Sequence, residues 1–389
     1  MPHPSPSAAS IEASGIREIV NLALQRPDAG IVRLEIGEPD SPPPPHVLAA
    51  AAAALDGPIG YTASGGSAEL RSALADRVER IDGIRPALDR VIVGQGAVEV
   101  IAASLAAVLR PGDEVLIPDP AWPNYEAQAR LFGATPVRYP LRRELGHLPD
   151  PDEVVAMIGP RTRALVVNSP SNPTGSVIDA DRLRRIVEAA AARDVLVISD
   201  EVYDEIVFDG VHVPARAFAP DHVVTVHSFS KTYSMTGWRV GYALVPEAVQ
   251  VAVERIQETL LSCVSTLTQA AALAALAGPQ DAVADNLRRY RRRRDLAVGL
   301  LRDGGVEVVV PDGAFYLMVP IGDGLDSRRA ALELVDRGVA VAPGSAFGRV
   351  AADAVRLSLA SSDEALTTGI ERLLGWRASH RAEQRGVVV

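Results

Sequence analysis

The middle of the chain alternates short apolar runs with segments whose apolar residues recur at helical spacing. The apolar runs cover residues 91–93, 115–117, 164–167, 195–198 and 223–226. Most of them are followed by a turn and then by a helical segment. Short apolar runs flanked by helices in this way indicate a parallel β-sheet that is covered on both faces.

The two ends of the chain follow a different pattern. Near the N-terminus, apolar residues at Ile16, Ile19, Val20 and Ala23 predict an amphipathic helix, and residues 31–36 are predicted to be extended. Beyond residue 304 the pattern predicts two strands, a helix and two further strands, at 306–310, 315–319, 328–337, 339–341 and 355–359. This order of elements is typical of an α+β domain.

We therefore predict an α/β protein of two domains, because 389 residues exceed what one hydrophobic core usually serves. The large domain is predicted to span residues 46–285 and to hold a mostly parallel sheet with helices on both faces. The smaller α+β domain is predicted to span residues 286–389. The N-terminal arm and helix, residues 1–45, are expected to form part of this small domain.

Composition and charge narrow the class of protein. Hydrophobic residues make up 48% and charged residues 23% of the sequence, which is typical of a folded soluble protein. The net charge of −10 argues against a nucleic-acid partner. No apolar run is long enough to cross a bilayer, and residues 1–10 resemble no signal or transit peptide. We expect a cytoplasmic protein without a membrane partner, in which the single cysteine, Cys263, is a buried thiol within a helix.

Side chains that suit a cofactor follow the ends of the predicted strands. They are Gly96, Trp122, Asn172, Asp200 with Tyr203, and Lys231 with Arg239. The strands of an open α/β sheet bind ligands at their carboxyl ends, so we expect these side chains to share one edge. Each of them taken alone also has a structural interpretation: a tight turn, a packed ring, a rigid loop, a helix cap or a solvated lysine.

Two nucleotide-binding motifs fit the sequence poorly. Gly94-Gln95-Gly96 begins like a dinucleotide fingerprint, but Glu99 occupies the third glycine position. A dehydrogenase would then use Asp119 to bind the ribose. A phosphate loop at Lys231-Thr232 fails because Ser230 stands where that motif requires glycine. Neither motif accounts for the polar residues at the strand ends.

One cofactor suits all of these side chains together. A phosphate group suits the turn at Gly96 and the Arg239 guanidinium, because the first amides of a helix bind anions. A planar ring suits Trp122, a ring nitrogen suits Asp200, and an aldehyde suits the amine of Lys231. Pyridoxal 5'-phosphate carries all four groups. No metal site is predicted.

Several longer motifs carry a resemblance to a known family. They are Gly37-Glu38-Pro39-Asp40, Gly60-Tyr61-Thr62, Asn172-Pro173-Thr174-Gly175, Asp200-Glu201-Val202-Tyr203, Ser228-Phe229-Ser230-Lys231, Met235-Thr236-Gly237-Trp238-Arg239-Val240-Gly241-Tyr242, Gly313-Ala314-Phe315-Tyr316 and Pro343-Gly344-Ser345-Ala346-Phe347-Gly348. With them the chain resembles the fold-type I pyridoxal-phosphate aminotransferases of class I/II, the aspartate and aromatic aminotransferase kind. The resemblance runs from about Ser14 to the final helix, and residues 228–242 are its most specific part.

The resemblance implies a role for each residue around the cofactor ring. Lys231 would bind the cofactor aldehyde and later move the proton between the substrate Cα and the cofactor. Asp200 would pair with the ring nitrogen, Tyr203 and Asn172 would hydrogen-bond the ring oxygen, and Trp122 would stack on the ring. Lys231, Asp200 and Tyr203 are therefore the predicted catalytic residues.

The resemblance also assigns the two ends of the site. The residues expected to hold the phosphate are Gly96, Ala97, Val98, Ser228, Arg239 and Tyr61, the last contributed by the second subunit of a homodimer. The residues expected to bind substrate are Gly37, Asn172 and Arg356. Arg356 would grip the α-carboxylate through a bidentate bond. The implied homodimer has active sites shared between its subunits.

Val98 departs from the family pattern. Many relatives carry serine or threonine at this position to support the phosphate, and some aspartate-specific ones carry lysine to meet an acidic side chain. Valine offers neither contact. Arg17, in the predicted N-terminal helix, is a candidate substitute, although a solvated helix face is the simpler explanation.

The predicted function is transfer of an amino group between an L-amino acid and a 2-oxo acid by a ping-pong route. The alternative is a pyridoxal-phosphate carbon–sulfur lyase of the same fold, because β-elimination would use the same cofactor residues. A regulator that keeps this fold needs an appended DNA-binding domain, and we expect none because few residues precede Ser14. The sequence leaves the amino donor and the acceptor open.

Overall fold

The computed structural model describes residues 3–322 and 324–386. Its strands are β1 Val32–Arg33, β2 Val91–Gly94, β3 Glu114–Asp119, β4 Thr135–Pro140, β5 Thr162–Asn168, β6 Leu196–Asp200, β7 Val223–Ser228, β8 Gly241–Leu244, β9 Tyr316–Pro320, β10 Val339–Ala340, β11 Ala342–Pro343 and β12 Ala354–Ser358. Its α-helices are α1 Pro6–Ala9, α2 Gly15–Leu24, α3 Pro45–Ala53, α4 Ala68–Asp82, α5 Ala97–Val108, α6 Asn124–Leu131, α7 Pro151–Ala156, α8 Ala180–Ala191, α9 Phe229–Thr232, α10 Glu247–Leu261, α11 Thr266–Ala277, α12 Asp281–Asp303, α13 Ser327–Asp336 and α14 Asp363–Gly386.

Seven strands form the main sheet, in the order β2-β8-β7-β6-β5-β3-β4. The strands from β7 to β4 in this order pair in parallel, whereas β8 is antiparallel to both of its neighbours. Parallel strands need long crossover connections, and α-helices provide most of them, although β6 and β7 are joined by a segment whose only helix is the 3-10 turn Ala215–Ala217. The structure therefore confirms the predicted α/β fold with a mostly parallel sheet.

Strand β3 shows how the chain fills both faces of this sheet. Val115 and Ile117 join a buried cluster with Val100 of α5 on one face. Leu116 joins a different buried cluster, with Leu183 of α8, on the other face. Successive side chains of a strand point to opposite faces, so a strand that is covered on both sides needs apolar residues throughout. This requirement explains the unbroken apolar runs in the sequence.

A second region combines the two ends of the chain. Strands β11, β12 and β9 form an antiparallel sheet, and β1 pairs in parallel with β10. One hydrophobic cluster joins Leu34, close after β1, to Leu334, Leu357 and Leu373. The N-terminal segment thus packs with the C-terminal elements. The exact domain division stays a prediction, and its boundary near residue 285 falls within α12.

Some local predictions differ from the structure. Residues 306–310 form no strand, although Val306 and Val308 are buried, because side-chain packing can bury an apolar run without a hydrogen-bonded ladder. Only two residues of the extended segment 31–36 form a strand. The apolar pattern does not predict β4, which carries two prolines, or β8, which lies partly within the motif that follows Lys231.

The prediction for Cys263 is also wrong. This residue lies between α10 and α11 and is partly exposed, so its thiol is neither helical nor fully buried. Among the described helices, none combines the length and the apolar character that crossing a bilayer requires.

Candidate active site

A cavity of about 760 Å³ opens at the carboxyl ends of strands β5, β6 and β7. It is also lined by the first turns of α2 and α5 and by the segment that follows β1. The predicted site residues that line it are Gly37, Ala97, Val98, Trp122, Asn172, Asp200, Tyr203, Ser228, Lys231, Arg239 and Arg356. Gly96 lies one residue before this lining, and Tyr61 lies outside it. The structure thus brings most of the predicted residues together.

Asp200 ends strand β6 and is buried at the floor of the cavity. Burial raises the pKa of its carboxyl group from the ordinary value of 3.8 to about 6, and hydrogen bonds from Tyr125 and from the Val202 backbone offset only part of this effect. Among the described residues, no arginine, lysine or histidine forms an ion pair with Asp200. The carboxylate is therefore suited to a cationic partner that the chain itself does not supply.

Tyr125 is a site residue that the sequence reasoning missed. Its buried hydroxyl donates a hydrogen bond to Asp200 Oδ2, and its ring meets the Trp122 ring edge to face at 5.4 Å. Both aromatic residues lie where the chain leaves β3 and enters α6. The three-residue spacing from Trp122 was the signal available, because the first turn of a helix brings such residues to one side.

Lys231 lies on the short helix α9, directly after strand β7. Its Nζ donates a hydrogen bond of 2.6 Å to the Gly37 carbonyl and stands 5.7 Å from the centre of the Phe315 ring. No described carboxylate forms an ion pair with it. Lys231 is also the only lysine in the sequence, since every other basic side chain of the Lys and Arg type is arginine. Its amine is therefore chemically unique among the side chains.

The predicted phosphate end is formed where β2 meets α5 and where β7 meets α9. Gly96 precedes α5 with a φ of 79°, and a Cβ added there would lie 2.7 Å from Nη2 of Arg239. Arg239 itself has a φ of 56° and donates to the Thr236 carbonyl at 2.7 Å. Ser228 caps α9 and lines the same part of the cavity. A guanidinium, a hydroxyl and the free amides of a helix start together form an anion-binding cradle.

Arg356, on β12, adds a buried cation to the lining of the cavity. Its Nη1 donates to Asn172 Oδ1 at 2.9 Å and its Nη2 donates to the Glu35 carbonyl at 2.6 Å. The guanidinium lies 4.3 Å from the ring centre of Tyr316 and 4.8 Å from that of Phe347. No described carboxylate forms an ion pair with it. Two ring faces and two neutral acceptors hold this group in place while its charge stays available to a ligand.

Two tyrosines also line the cavity, and one of them, Tyr316, contacts the Arg356 guanidinium. The hydroxyl groups of Tyr203 and Tyr316 are 2.8 Å apart, and burial raises the pKa of Tyr203 above its ordinary value. Tyr316 was not singled out from the sequence. It also explains Gly37, because a Cβ at that position would lie 1.8 Å from the Tyr316 hydroxyl. Close approach of these two segments therefore requires glycine.

The remaining predicted residues lie at the rim or outside. Val98 and Arg17 both line the cavity, and the Arg17 guanidinium has no partner among the described residues. Tyr61 is 92% exposed and does not reach the cavity of its own chain. The exposed position of Tyr61 leaves its side chain available to a second copy of the protein.

A network of paired charges lies behind Asp200. Asp204 accepts a hydrogen bond of 2.7 Å from Arg77 and lies 3.1 Å from Nδ1 of His227, while Arg77 also donates to the Tyr242 hydroxyl at 2.8 Å. Burial alone would raise the pKa of Asp204, but the charge of Arg77 and the His227 hydrogen bond hold it well below its ordinary value. All of these side chains are buried. The network needs no ligand to balance its charges.

Comparison with known proteins gives consistent matches over most of the chain. The family model described as "Aminotransferase class I and II" matches residues 29–373. An aspartate aminotransferase of Pyrococcus horikoshii is 36% identical over 370 residues, covering 93% of this chain and 94% of that protein. An aspartate/prephenate aminotransferase of Thermus thermophilus is 39% identical over 358 residues, covering 90% and 92%. The structure of Thermus thermophilus aspartate aminotransferase with maleate superposes with a TM-score of 0.92 at 37% identity, covering 96% of this chain and 99% of that one.

Proposed function

The chain belongs to the class I and II aminotransferase family, and from this premise we propose that its cavity holds pyridoxal 5'-phosphate during amino transfer. The enzyme is an aminotransferase, which favours exchange between an L-amino acid and a 2-oxo acid over the β-elimination of a carbon–sulfur lyase. The observation that carries the proposal is one cavity lined by three groups that form no ion pair with any described residue: Asp200, Lys231 and Arg356.

The cavity has the features that this cofactor needs. The cradle beside Gly96 is open only because the residue has no Cβ, and Arg239 and Ser228 border it, which suits a phosphate group. The buried Asp200 carboxylate lacks a cation, which suits a protonated ring nitrogen. When bound, pyridoxal 5'-phosphate supplies an aldehyde for an amine and a protonated ring that withdraws electrons from the substrate Cα.

Asp200 would keep the proton on the ring nitrogen. A buried carboxylate that is raised to a pKa of about 6 without a partner is ionised far more readily once a cation sits beside it. The Tyr125 hydroxyl donates a hydrogen bond to Oδ2 of Asp200 and so fixes the orientation of the carboxylate. The remaining lone pairs of the carboxylate would accept the hydrogen bond from the ring nitrogen. The Trp122 ring packs edge to face against Tyr125 and lines the cavity.

Lys231 would carry the cofactor and then move the proton at the substrate Cα. The Lys231 side chain begins directly after strand β7, and its amine reaches the Gly37 carbonyl in the segment that follows β1. The amine therefore lies between the edge of the main sheet and the proposed substrate-binding residues. A neutral amine placed near Cα acts first as general base and then as general acid. The segment containing Gly37 thus helps to direct this amine.

Arg356 would bind the α-carboxylate of the amino acid and of the 2-oxo acid. Its guanidinium is buried, is held by Asn172 and the Glu35 carbonyl, and faces no carboxylate of the described chain. A planar guanidinium binds a carboxylate through two parallel hydrogen bonds. Because both half-reactions use an α-carboxylate, one such group serves the whole ping-pong cycle.

Tyr61 supports the proposal of a homodimer with shared sites. It is nearly fully exposed in one chain, although the resemblance assigns it to the phosphate. Contribution of this hydroxyl from a second subunit would account for both facts. The cytoplasmic location expected from the sequence stays a prediction.

The amino donor and acceptor can be tested directly. Relatives of this chain are named for aspartate and for prephenate, whereas Val98 and Ile16 give this cavity an apolar side next to the exposed Arg17. A panel of L-amino acids, each incubated with 2-oxoglutarate, pyruvate or oxaloacetate, should yield the matching new amino acid only when both partners are present. Release of pyruvate and ammonia without an oxo acid would instead support the lyase.

A further inference from the structure

Glu35 is a buried carboxylate next to the substrate end of the cavity that amino transfer itself does not use. Its side chain is 0% exposed, and its backbone carbonyl accepts the 2.6 Å hydrogen bond from Arg356. Arg33, whose side chain is about one-third exposed, donates to Oε1 of Glu35. Oε2 of Glu35 and Nε of Arg356 are both buried without a hydrogen-bond partner among the described residues.

The three charged groups differ in their exposure. Arg33 is about one-third exposed, Glu35 is buried, and Arg356 is buried and lines the cavity. Burial raises the pKa of Glu35, while the nearby charges of Arg33 and Arg356 act to lower it. The Glu35 charge in turn acts to raise the pKa of Arg356, which burial lowers. The charges of the Glu35 carboxylate and the Arg356 guanidinium therefore interact electrostatically, although no ion pair joins the two groups directly.

We propose that Glu35 is a positioning residue whose carboxylate balances the charge of Arg356 between turnovers and thereby limits how tightly the enzyme holds carboxylates. The proposal rests on the carboxylate-binding role proposed for Arg356. A buried guanidinium without a counter-charge is costly, so an anion nearby stabilises the ligand-free enzyme. When a substrate carboxylate binds Arg356, it lies near the Glu35 carboxylate as well, and the repulsion between these two anions reduces the gain on binding.

Weaker carboxylate binding suits an enzyme in which a 2-oxo acid product and a 2-oxo acid acceptor bind in turn to the same guanidinium. In a ping-pong cycle the 2-oxo acid formed from the donor has to leave before the acceptor binds to the same guanidinium. Interactions that hold substrate and product equally tightly lower KM without raising kcat. The negative charge of the Glu35 carboxylate near Arg356 therefore favours release of each product.

The backbone and side chain of Glu35 can be separated by substitution. Arg356 is hydrogen-bonded to the Glu35 carbonyl, which every substitution retains. Glu35→Gln removes the negative charge at nearly constant shape, whereas Glu35→Asp keeps it. If the side chain acts through its charge, the glutamine variant alone changes carboxylate binding. A purely structural role would weaken binding in both variants.

The test is titration of the enzyme, loaded with pyridoxal 5'-phosphate, with maleate, a dicarboxylate that carries no amino group to transfer. For Glu35→Gln we expect maleate to bind about tenfold more tightly, as expected for loss of one nearby like charge, and for Glu35→Asp to bind within about twofold of the unaltered enzyme. The KM for the amino donor should fall in Glu35→Gln while kcat does not rise. Binding of n-butylamine, which has no carboxylate, should stay unchanged.

Equal or weaker maleate binding by Glu35→Gln would overturn the proposal. Should that variant not fold, Glu35→Thr carries the same expectation, because threonine is neutral and suits extended backbone. Arg356→Lys separates this result from the proposed function. Undiminished maleate binding in Arg356→Lys would refute the carboxylate role of Arg356 itself, whereas lost binding there with no change in Glu35→Gln would refute only the role of Glu35.

Discussion

Two buried aspartates only four residues apart, Asp200 and Asp204, have opposite electrostatic surroundings. Asp204 is paired with Arg77 and lies beside His227, and its pKa is held well below the ordinary value. Asp200 has only neutral hydrogen-bond donors, Tyr125 and the Val202 amide, and burial raises its pKa to about 6. Both carboxylates lie near the same edge of the main sheet.

The difference separates charges that support the fold from charges that await a ligand. A buried charge is costly unless it is paired, so unpaired charges that line one cavity indicate a site where another molecule completes the pair. The groups on the cavity side, Asp200, Lys231 and Arg356, lack ionic partners among the described residues. The Arg77 and Asp204 pair behind them is complete. We therefore assign amino transfer to the cavity side and stability to the network behind it.

Asp200→Asn gives the largest expected effect on activity. The amide keeps the hydrogen bond to Tyr125 but cannot hold a proton on the ring nitrogen, so kcat/KM should fall by roughly a thousandfold, about 4 kcal/mol. The melting temperature of the cofactor-free protein should not fall, because an unpaired buried charge is removed. Steady-state kinetics with differential scanning calorimetry measures both quantities. Activity within tenfold of the unaltered enzyme would remove the distinction between the two aspartates.

Asp204→Asn should reduce stability more than activity, the reverse of what we expect for Asp200→Asn. Removal of the buried partner leaves Arg77 with only the more exposed Glu205, and the free energy of unfolding should drop by about 3 kcal/mol. The kcat of the folded, cofactor-loaded fraction should change much less than in Asp200→Asn. Urea unfolding followed by circular dichroism measures the loss, and Glu205→Gln, which alters the more exposed second partner of Arg77, is the matched control. An unaffected unfolding midpoint would show that the network does not stabilise the fold.

The pH dependence of stability should distinguish the aspartates in the cofactor-free protein. Asp200 has a raised pKa in the folded state, so it binds its proton more tightly there than when unfolded, and its contribution to stability is lost as the pH rises from about 4 to about 6. Asp200→Asn should therefore become more stable relative to the unaltered protein across this range, by roughly 3 kcal/mol, and then level off. A difference that is constant with pH would contradict the raised pKa.

Tyr125→Phe should have the smallest effect of this series. Loss of one hydrogen bond to Asp200 removes about 1 kcal/mol of support for the ionised carboxylate and should lower kcat/KM by about fivefold. It should also raise the pKa of Asp200 further, which a pH titration of the stability of the cofactor-free protein would show as a shift to higher pH. An unchanged titration would mean that Tyr125 does not tune this carboxylate.

The sequence was enough to predict that Asp200 and Lys231 lie at one edge of the main sheet. Asp200 and Lys231 follow apolar runs that form parallel strands, and the carboxyl ends of such strands meet at one edge whatever the details of packing. The antiparallel strand β8 was missed because its short Gly-Tyr-Ala-Leu run overlaps the end of a longer motif. The main sheet could therefore be predicted in type but not in full strand order.

The contacts at the substrate end could not be predicted in the same way. Arg356 meets the Glu35 carbonyl across 321 residues, and Tyr203 meets Tyr316 across 113 residues. These pairs depend on how the two ends of the chain pack against the main sheet, and no local pattern in the sequence records that packing. Tyr125, 75 residues from Asp200, is missed for the same reason.

The most direct test of the assignment uses the single lysine of the sequence. The protein is incubated with pyridoxal 5'-phosphate, reduced with borohydride and weighed intact by mass spectrometry, beside Lys231→Ala treated in the same way. Because no other lysine side chain competes, the account predicts one added cofactor per chain in the unaltered protein and none in Lys231→Ala. It also predicts that a productive amino donor added before reduction lowers the label. Equal labelling of the two proteins would contradict the account.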